Sequence, residues 1–156
     1  MKLAVIAIGK NWGKTLDGPE HALWQHYAAR LPWPLELKTG ESRNRNDAAR
    51  KEEENALLLK MAEGYERLIA LDETGQQMSS MEFSGQLTRY RDTGVKSLAF
   101  LIGGSDGLTQ ATRQKADRLL SFGRATWPHL LVRGMLAEQL YRAYTIHTGH
   151  PYHREG

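Results

Sequence analysis

The chain contains no cysteine among its 156 residues. That excludes a disulfide framework and a thiolate metal site, and it suits the cytoplasm. No apolar run approaches the length of a membrane span, so no membrane partner is expected. Leu3 to Ile8 follows Met1-Lys2 as a signal-peptide core would, but the stretch is short and no small-residue cleavage site comes after it. No Gly-x-Ser-x-Gly elbow is present, so a hydrolase triad has no starting point. Internal repeats and low-complexity tracts are absent too.

Two glycine motifs fall short of their models. Gly9-Lys10-Asn11-Trp12-Gly13-Lys14-Thr15 has the ending of a phosphate-binding loop, but that motif wants glycine where Ile8 stands. The remaining reading is a strand-exit turn. Gly103-Gly104-Ser105-Asp106-Gly107 lacks the spacing of the dinucleotide fingerprint and lies late in the chain, which argues against a Rossmann-type oxidoreductase. His147, His150 and His153 recur every third residue, but Pro151 keeps them off one helix and no carboxylate or thiolate completes a set. No metal is expected.

What is present points to one soluble α/β unit spanning 1–156, because 40% hydrophobic and 25% charged residues fit a globular chain. Leu3 to Ile8 reads as a strand covered on both faces. Trp24, Tyr27, Ala28 and Leu31 make a helix stripe that stops before Pro32, and Leu35 to Thr39 is a second strand. The polar stretch 40–55 is expected to begin as a mobile loop, becoming helical by Ala56. Arg67 to Leu71 is a third strand, and Ser79 with Glu82 has the spacing of a capping box. Ser97 to Ile102 is a fourth strand, after which Thr109 caps a helix expected to run through Leu120. Pro128 then suits a first helical position. The last helix, roughly 130–147, is apolar on most of its surface, which predicts that part of it faces a second copy.

Strands alternating with helices indicate a parallel sheet, and ligands of such sheets collect where loops leave the strands' carboxyl ends. Three exit loops qualify: Leu71 to Gly75, Gly103 to Gly107, and Phe122 to Trp127. Together they offer a backbone-lined crevice with few charges, better suited to an adenosine-like ligand than to a polyphosphate. After Lys115 every basic residue outside the histidines is an arginine, interleaved with Trp127, Tyr141, Tyr144 and Tyr152. Planar guanidinium groups and aromatic rings suit RNA.

Leu71-Asp72-Glu73-x-Gly75, Phe100 to Leu108, Leu120-Ser121-Phe122, Pro128-His129, Val132-Arg133, Glu138 to Ala143 and His150-Pro151-Tyr152-His153-Arg154 carry a family resemblance. The chain resembles the ribosomal RNA large subunit methyltransferase H family of SPOUT methyltransferases. That resemblance implies an α/β fold with a C-terminal trefoil knot, a homodimer, and methyl transfer from S-adenosyl-L-methionine to N3 of a pseudouridine in 23S ribosomal RNA, free or in the ribosome. Carried onto this sequence, cofactor contacts fall on Leu71, Gly103, Phe122, Gly123, Arg124, Ala125, Thr126 and Trp127. His129, Arg133, Tyr152 and Arg154 are expected to meet RNA, and the tail is expected to complete the partner's site. The chemistry needs an anion stabiliser and a proton acceptor; Arg142 and Arg154 are the candidates for the first, Glu138 and His153 for the second. A non-catalytic RNA-binding dimer of the same fold is the alternative.

Overall fold

A computed structural model describes residues 1–155. Its strands are β1 (Lys2–Ile8), β2 (Leu35–Gly40), β3 (Arg67–Gln77), β4 (Ser97–Ile102) and β5 (Arg118–Ser121). The helices are α1 (Pro19–Ala28), α2 (Asp47–Met61), α3 (Ser80–Asp92), α4 (Gln110–Lys115) and α5 (His129–Thr148). The strands form one sheet in the order β2-β1-β4-β3-β5, and every neighbouring pair is parallel.

The near-continuous apolar sequence of β1 follows from this position. Leu3, Val5 and Ala7 face a core shared with Trp24, Phe83, Leu136 and Leu140, whereas Ile6 and Ile8 face Leu58 and Ala62. A central strand has no solvent face, so alternation disappears. On the first side α5 lies against α1 and α3. At Gly134 a Cβ would stand 2.6 Å from Leu23 Cδ2, so the close approach of α5 to α1 requires glycine. Leu136 and Leu140 of α5 are buried in the core on this side; truncating either to alanine costs about 2–5 kcal/mol.

The capping box at Ser79 and Glu82 forms as the spacing predicts. Four expectations change. The third strand does not end at Leu71: β3 runs on to Gln77 and, after a register shift between Leu71 and Gln76, pairs again with β5, so Leu71–Gly75 is a bulge within the strand and not an exit loop. Residues 40–55 are not one loop, because Asn46 accepts a hydrogen bond from the Ala49 amide and starts α2 at Asp47. The helix after Thr109 does not reach Leu120: it ends at Lys115, and Arg118–Ser121 pairs with β3 as a fifth strand. That strand has only four residues, too few for periodicity to show. Pro128 caps α5 from outside and is not its first helical residue.

Candidate active site

β3, β4 and β5 are adjacent, so the loops that leave β4 and β5 meet the bulged Leu71–Gly75 segment of β3. They enclose a cavity of about 400 Å³ whose walls include Leu71, Gly103, Phe122, Gly123 and Ala125 to Trp127. This brings together all the expected cofactor contacts except Arg124, which is exposed outside the lining. Glycine is required at Gly75, where a Cβ would lie 2.6 Å from the Leu119 carbonyl carbon, a backbone atom that cannot swing aside. A Cβ on Gly103 would come within 3.0 Å of Leu108 Cδ2.

The loops are braced from outside. Asn55 of α2 donates to the Gly107 carbonyl at 3.1 Å and accepts from the Thr109 amide at 3.0 Å, clamping both ends of a turn. Arg50 grips Asp106 through Nε and Nη2 at 2.7 and 3.0 Å. This two-pronged bond is the main cause that raises the arginine's pKa and lowers the aspartate's. The sequence offered residues 40–55 no role; here they hold the Gly103–Gly107 loop. On the opposite wall Asp72 is almost covered. Burial disfavours its ionised form, but bonds from the Thr74 side chain and amide and from Arg113 Nε outweigh it, holding the carboxyl below its usual range. Ser121 Oγ ties Glu73 to Gly123, joining the β3 bulge to the loop after β5.

A second recess of about 590 Å³ adjoins this cavity and shares Leu120, Phe122 and Gly123 with it. Glu138 and Tyr27 line its far side. There α5 and the tail gather three of the four candidate catalytic residues. Glu138 Oε1 accepts from Arg142 Nε at 2.9 Å and from the Tyr152 hydroxyl at 3.0 Å. Arg142 Nη1 lies 3.1 Å from His153 Nδ1, and its guanidinium stacks on Tyr152 at 4.8 Å. Because arginine only donates, His153 must accept at Nδ1, so a neutral ring carries its proton on Nε2. The Tyr152 hydroxyl also lies 3.2 Å from that of Tyr27. One hydroxyl proton cannot serve two acceptors, so Tyr152 donates to Glu138 and accepts from Tyr27. Burial, together with the bonds to Tyr27 and Glu138, raises the phenol's pKa. Arg154, the fourth candidate, is exposed.

The expected RNA contacts separate. His129 is exposed at the start of α5; desolvation of its ring and the nearby Arg133 lower its pKa against an opposing effect of Glu54. Arg133, by contrast, is completely buried, so it offers no surface for RNA with the chain in this conformation. Tyr152 belongs to the Glu138 cluster, folded onto its own α5. Among the described residues no helix is long and apolar enough to cross a membrane.

Residues 1–153 match the family model described as "Predicted SPOUT methyltransferase". The chain belongs to the SPOUT methyltransferase family. Members of this family use S-adenosylmethionine, and the backbone-lined cavity fits such a ligand: Gly103, Gly104 and Gly107 present bare backbone in its lining, and the walls carry few free charges. A protein of Paramagnetospirillum magneticum named "Ribosomal RNA large subunit methyltransferase H" is 46% identical, with 99% of each chain covered. One of the same name from Rhodospirillum centenum is also 46% identical over 99% of each chain. Among solved structures, a probable methylase family protein from Haemophilus influenzae matches with a TM-score of 0.60 at 10% identity, covering 94% of this chain and 66% of that one. A probable methyltransferase from Bordetella pertussis gives a TM-score of 0.57 at 14% identity, covering 91% and 95%. These two likenesses concern the fold alone.

Proposed function

We propose that this chain is a cytoplasmic homodimer that methylates N3 of a pseudouridine in 23S ribosomal RNA, with residues 1–156 forming one knotted SPOUT unit. The observation that carries the reading is the shared wall: the cavity built by the three strand-end segments and the recess lined by Glu138 meet at Leu120, Phe122 and Gly123. Full-length similarity to proteins named for ribosomal RNA methylation supports the substrate class.

In this reading Leu71, Gly103 and Phe122 to Trp127 hold S-adenosylmethionine, which when bound supplies an electrophilic methyl group on a sulfonium. The chain's task is to position the base and remove its N3 proton. Glu138 is the acceptor of that proton: His153, held by Arg142 with its proton on Nε2, is a donor. To act, Glu138 exchanges one of its present donors for the base. Arg142 and the exposed Arg154 stabilise the anion that forms as the proton leaves. Tyr152 and His153 stay on their own α5, and the exposed Arg154 beyond them completes the site of the partner subunit.

Mapping methylated nucleosides in ribosomes from cells with and without the protein tests the reaction, which requires loss of one N3-methylated pseudouridine from 23S RNA in the deletion. Calorimetric titration with S-adenosylmethionine separates the enzyme from a non-catalytic RNA-binding dimer, which gives no saturable heat.

A further inference from the structure

The loop Gly9–Thr15, an incomplete phosphate motif in the sequence, spends its backbone on itself. The amides of Trp12, Gly13 and Thr15 donate to Lys10, Asn11 and Trp12 carbonyls at 2.8, 2.9 and 2.8 Å, and the Gly9 amide donates to Gly40 at 3.0 Å. It forms no backbone cradle for a nucleotide. It instead roofs Arg133, which is 0% exposed. Arg133 Nη1 donates to the Lys10 carbonyl at 3.0 Å, and the guanidinium stacks on Trp12 at 4.8 Å. Its Nε and Nη2 have no partner among the described residues, and no carboxylate pairs with it. Those two atoms lie along one edge of the guanidinium fork, the edge that takes two oxygens of a carboxylate or phosphate side by side.

The surroundings are shaped around this idle edge. Gly9 has a φ of +123°, and a Cβ there would sit 3.3 Å from Arg133 Nη2. Trp12, the only non-glycine residue with positive φ among those described, has a φ of +68°. Such strain persists where the neighbourhood dictates it, and it concentrates at ligand clamps. A buried cation with two unsatisfied donors is worse for the folded chain than an apolar side chain of similar size. The place is also telling. Val132, the preceding residue, lines the cofactor cavity, and Ile8, just before the loop, lies 2.9 Å from where a Gly104 Cβ would be. Lys10 and Lys14 stand exposed on the roof.

We propose that Arg133 is an oxyanion-binding group of the methyl-transfer site, covered by the Gly9–Trp12 loop until its ligand arrives. This rests on the function proposed above. The oxyanion comes from one of two sources, a phosphate of the RNA substrate or the carboxylate of the cofactor's methionine moiety.

The test uses full-length Arg133→Met and Arg133→Lys. The methionine variant should melt at the wild-type temperature or above it, while losing about tenfold in affinity for one oxyanion ligand. If that ligand is RNA, binding of a uridine-rich hairpin weakens and its log–log salt slope falls by about one, with cofactor affinity unchanged. If it is the cofactor, S-adenosylmethionine weakens while 5′-methylthioadenosine, which lacks the carboxylate, does not. Arg133→Lys keeps the charge without the two-pronged edge, and should recover only part of the lost affinity. Unchanged affinities for both ligands in a folded methionine variant overturn the proposal. So does a methionine variant that fails to fold alongside a lysine variant with wild-type affinities, because the fold then needs only a cation. Wild-type protein that binds cofactor and hairpin without methylating ribosomal RNA defeats the proposed reaction, and the binding measurements still decide the role of Arg133.

Discussion

The candidate cofactor cavity shares a wall with the recess lined by Glu138, and the cavity and the Glu138 cluster are built on opposite plans. Around the cavity the chain presents backbone, with glycines at Gly103, Gly104 and Gly107; Asn55 and Arg50 brace the loop from outside, and Arg113 pairs with Asp72 within the wall. In the cluster the backbone is an ordinary helix, and five side chains meet one another: Glu138, Arg142, Tyr152, His153 and Tyr27. A ligand held by many weak backbone contacts needs a rigid, open surface. Proton transfer and charge stabilisation need a few groups whose ionisation is controlled. The comparison therefore predicts that damage to the loops appears in cofactor affinity, and damage to the cluster in the rate at full cofactor occupancy.

The largest effect should come from filling the cavity. Gly103→Arg is expected to abolish saturable heat with S-adenosylmethionine while the protein stays dimeric by sedimentation; wild-type affinity in this variant would remove Gly103 from the site. Mixed by co-refolding with a chain truncated after Gly149, it should regain up to about one-quarter of wild-type activity, since random pairing makes half the dimers mixed with one complete site each. Inactive mixed dimers, when refolded wild type is active, place the tail in its own chain's site.

Next comes Glu138→Gln, which keeps the shape and removes the base. Its turnover should fall about 10²-fold or more, with cofactor affinity within about twofold of wild type. An equal loss in both would make the cluster structural.

Gly75→Ala should break the comparison from the loop side by pushing β5 away from β3, destabilising the fold by roughly 2–3 kcal/mol. Chemical denaturation measures it, and a loss below about 0.5 kcal/mol would show that the two strands can part without cost. The smallest effect concerns Asp72, whose folded-state pKa is depressed. Its contribution is therefore complete above the unfolded carboxylate range near pH 4 and is lost as the pH falls through the lower folded value. Asp72→Asn should be less stable than wild type at pH 7 by roughly 1 kcal/mol, the gap closing on acidification, as a series of melts will show.

Much of the site is legible in the sequence because glycines leaving an apolar strand have few other uses. The loop at Gly103 was readable on that ground, and four of the five strands were readable from their apolar runs. β5 was not, since Arg118–Ser121 is short and has a charge at one end. The bracing by Arg50 and Asn55 was hidden for a different reason. They sit in a polar stretch 56 and 52 residues before Asp106 and Gly107. Nothing local marks a residue that serves a distant backbone. Arg133 was picked out for its chemistry, and only the structure placed it beneath Trp12.

The sequence by itself determined the elements whose signals are local: a strand buried on both faces at Leu3 to Ile8, the box at Ser79, and glycine exits where a ligand can touch backbone. Tertiary structure decided everything that depends on strand order. Setting β3 between β4 and β5 closed three strand-end segments into one cavity, and laying α5 on α1 brought Tyr27 to Glu138. Those choices come from burying two sheet faces at once, a condition on the whole chain that no window of sequence contains.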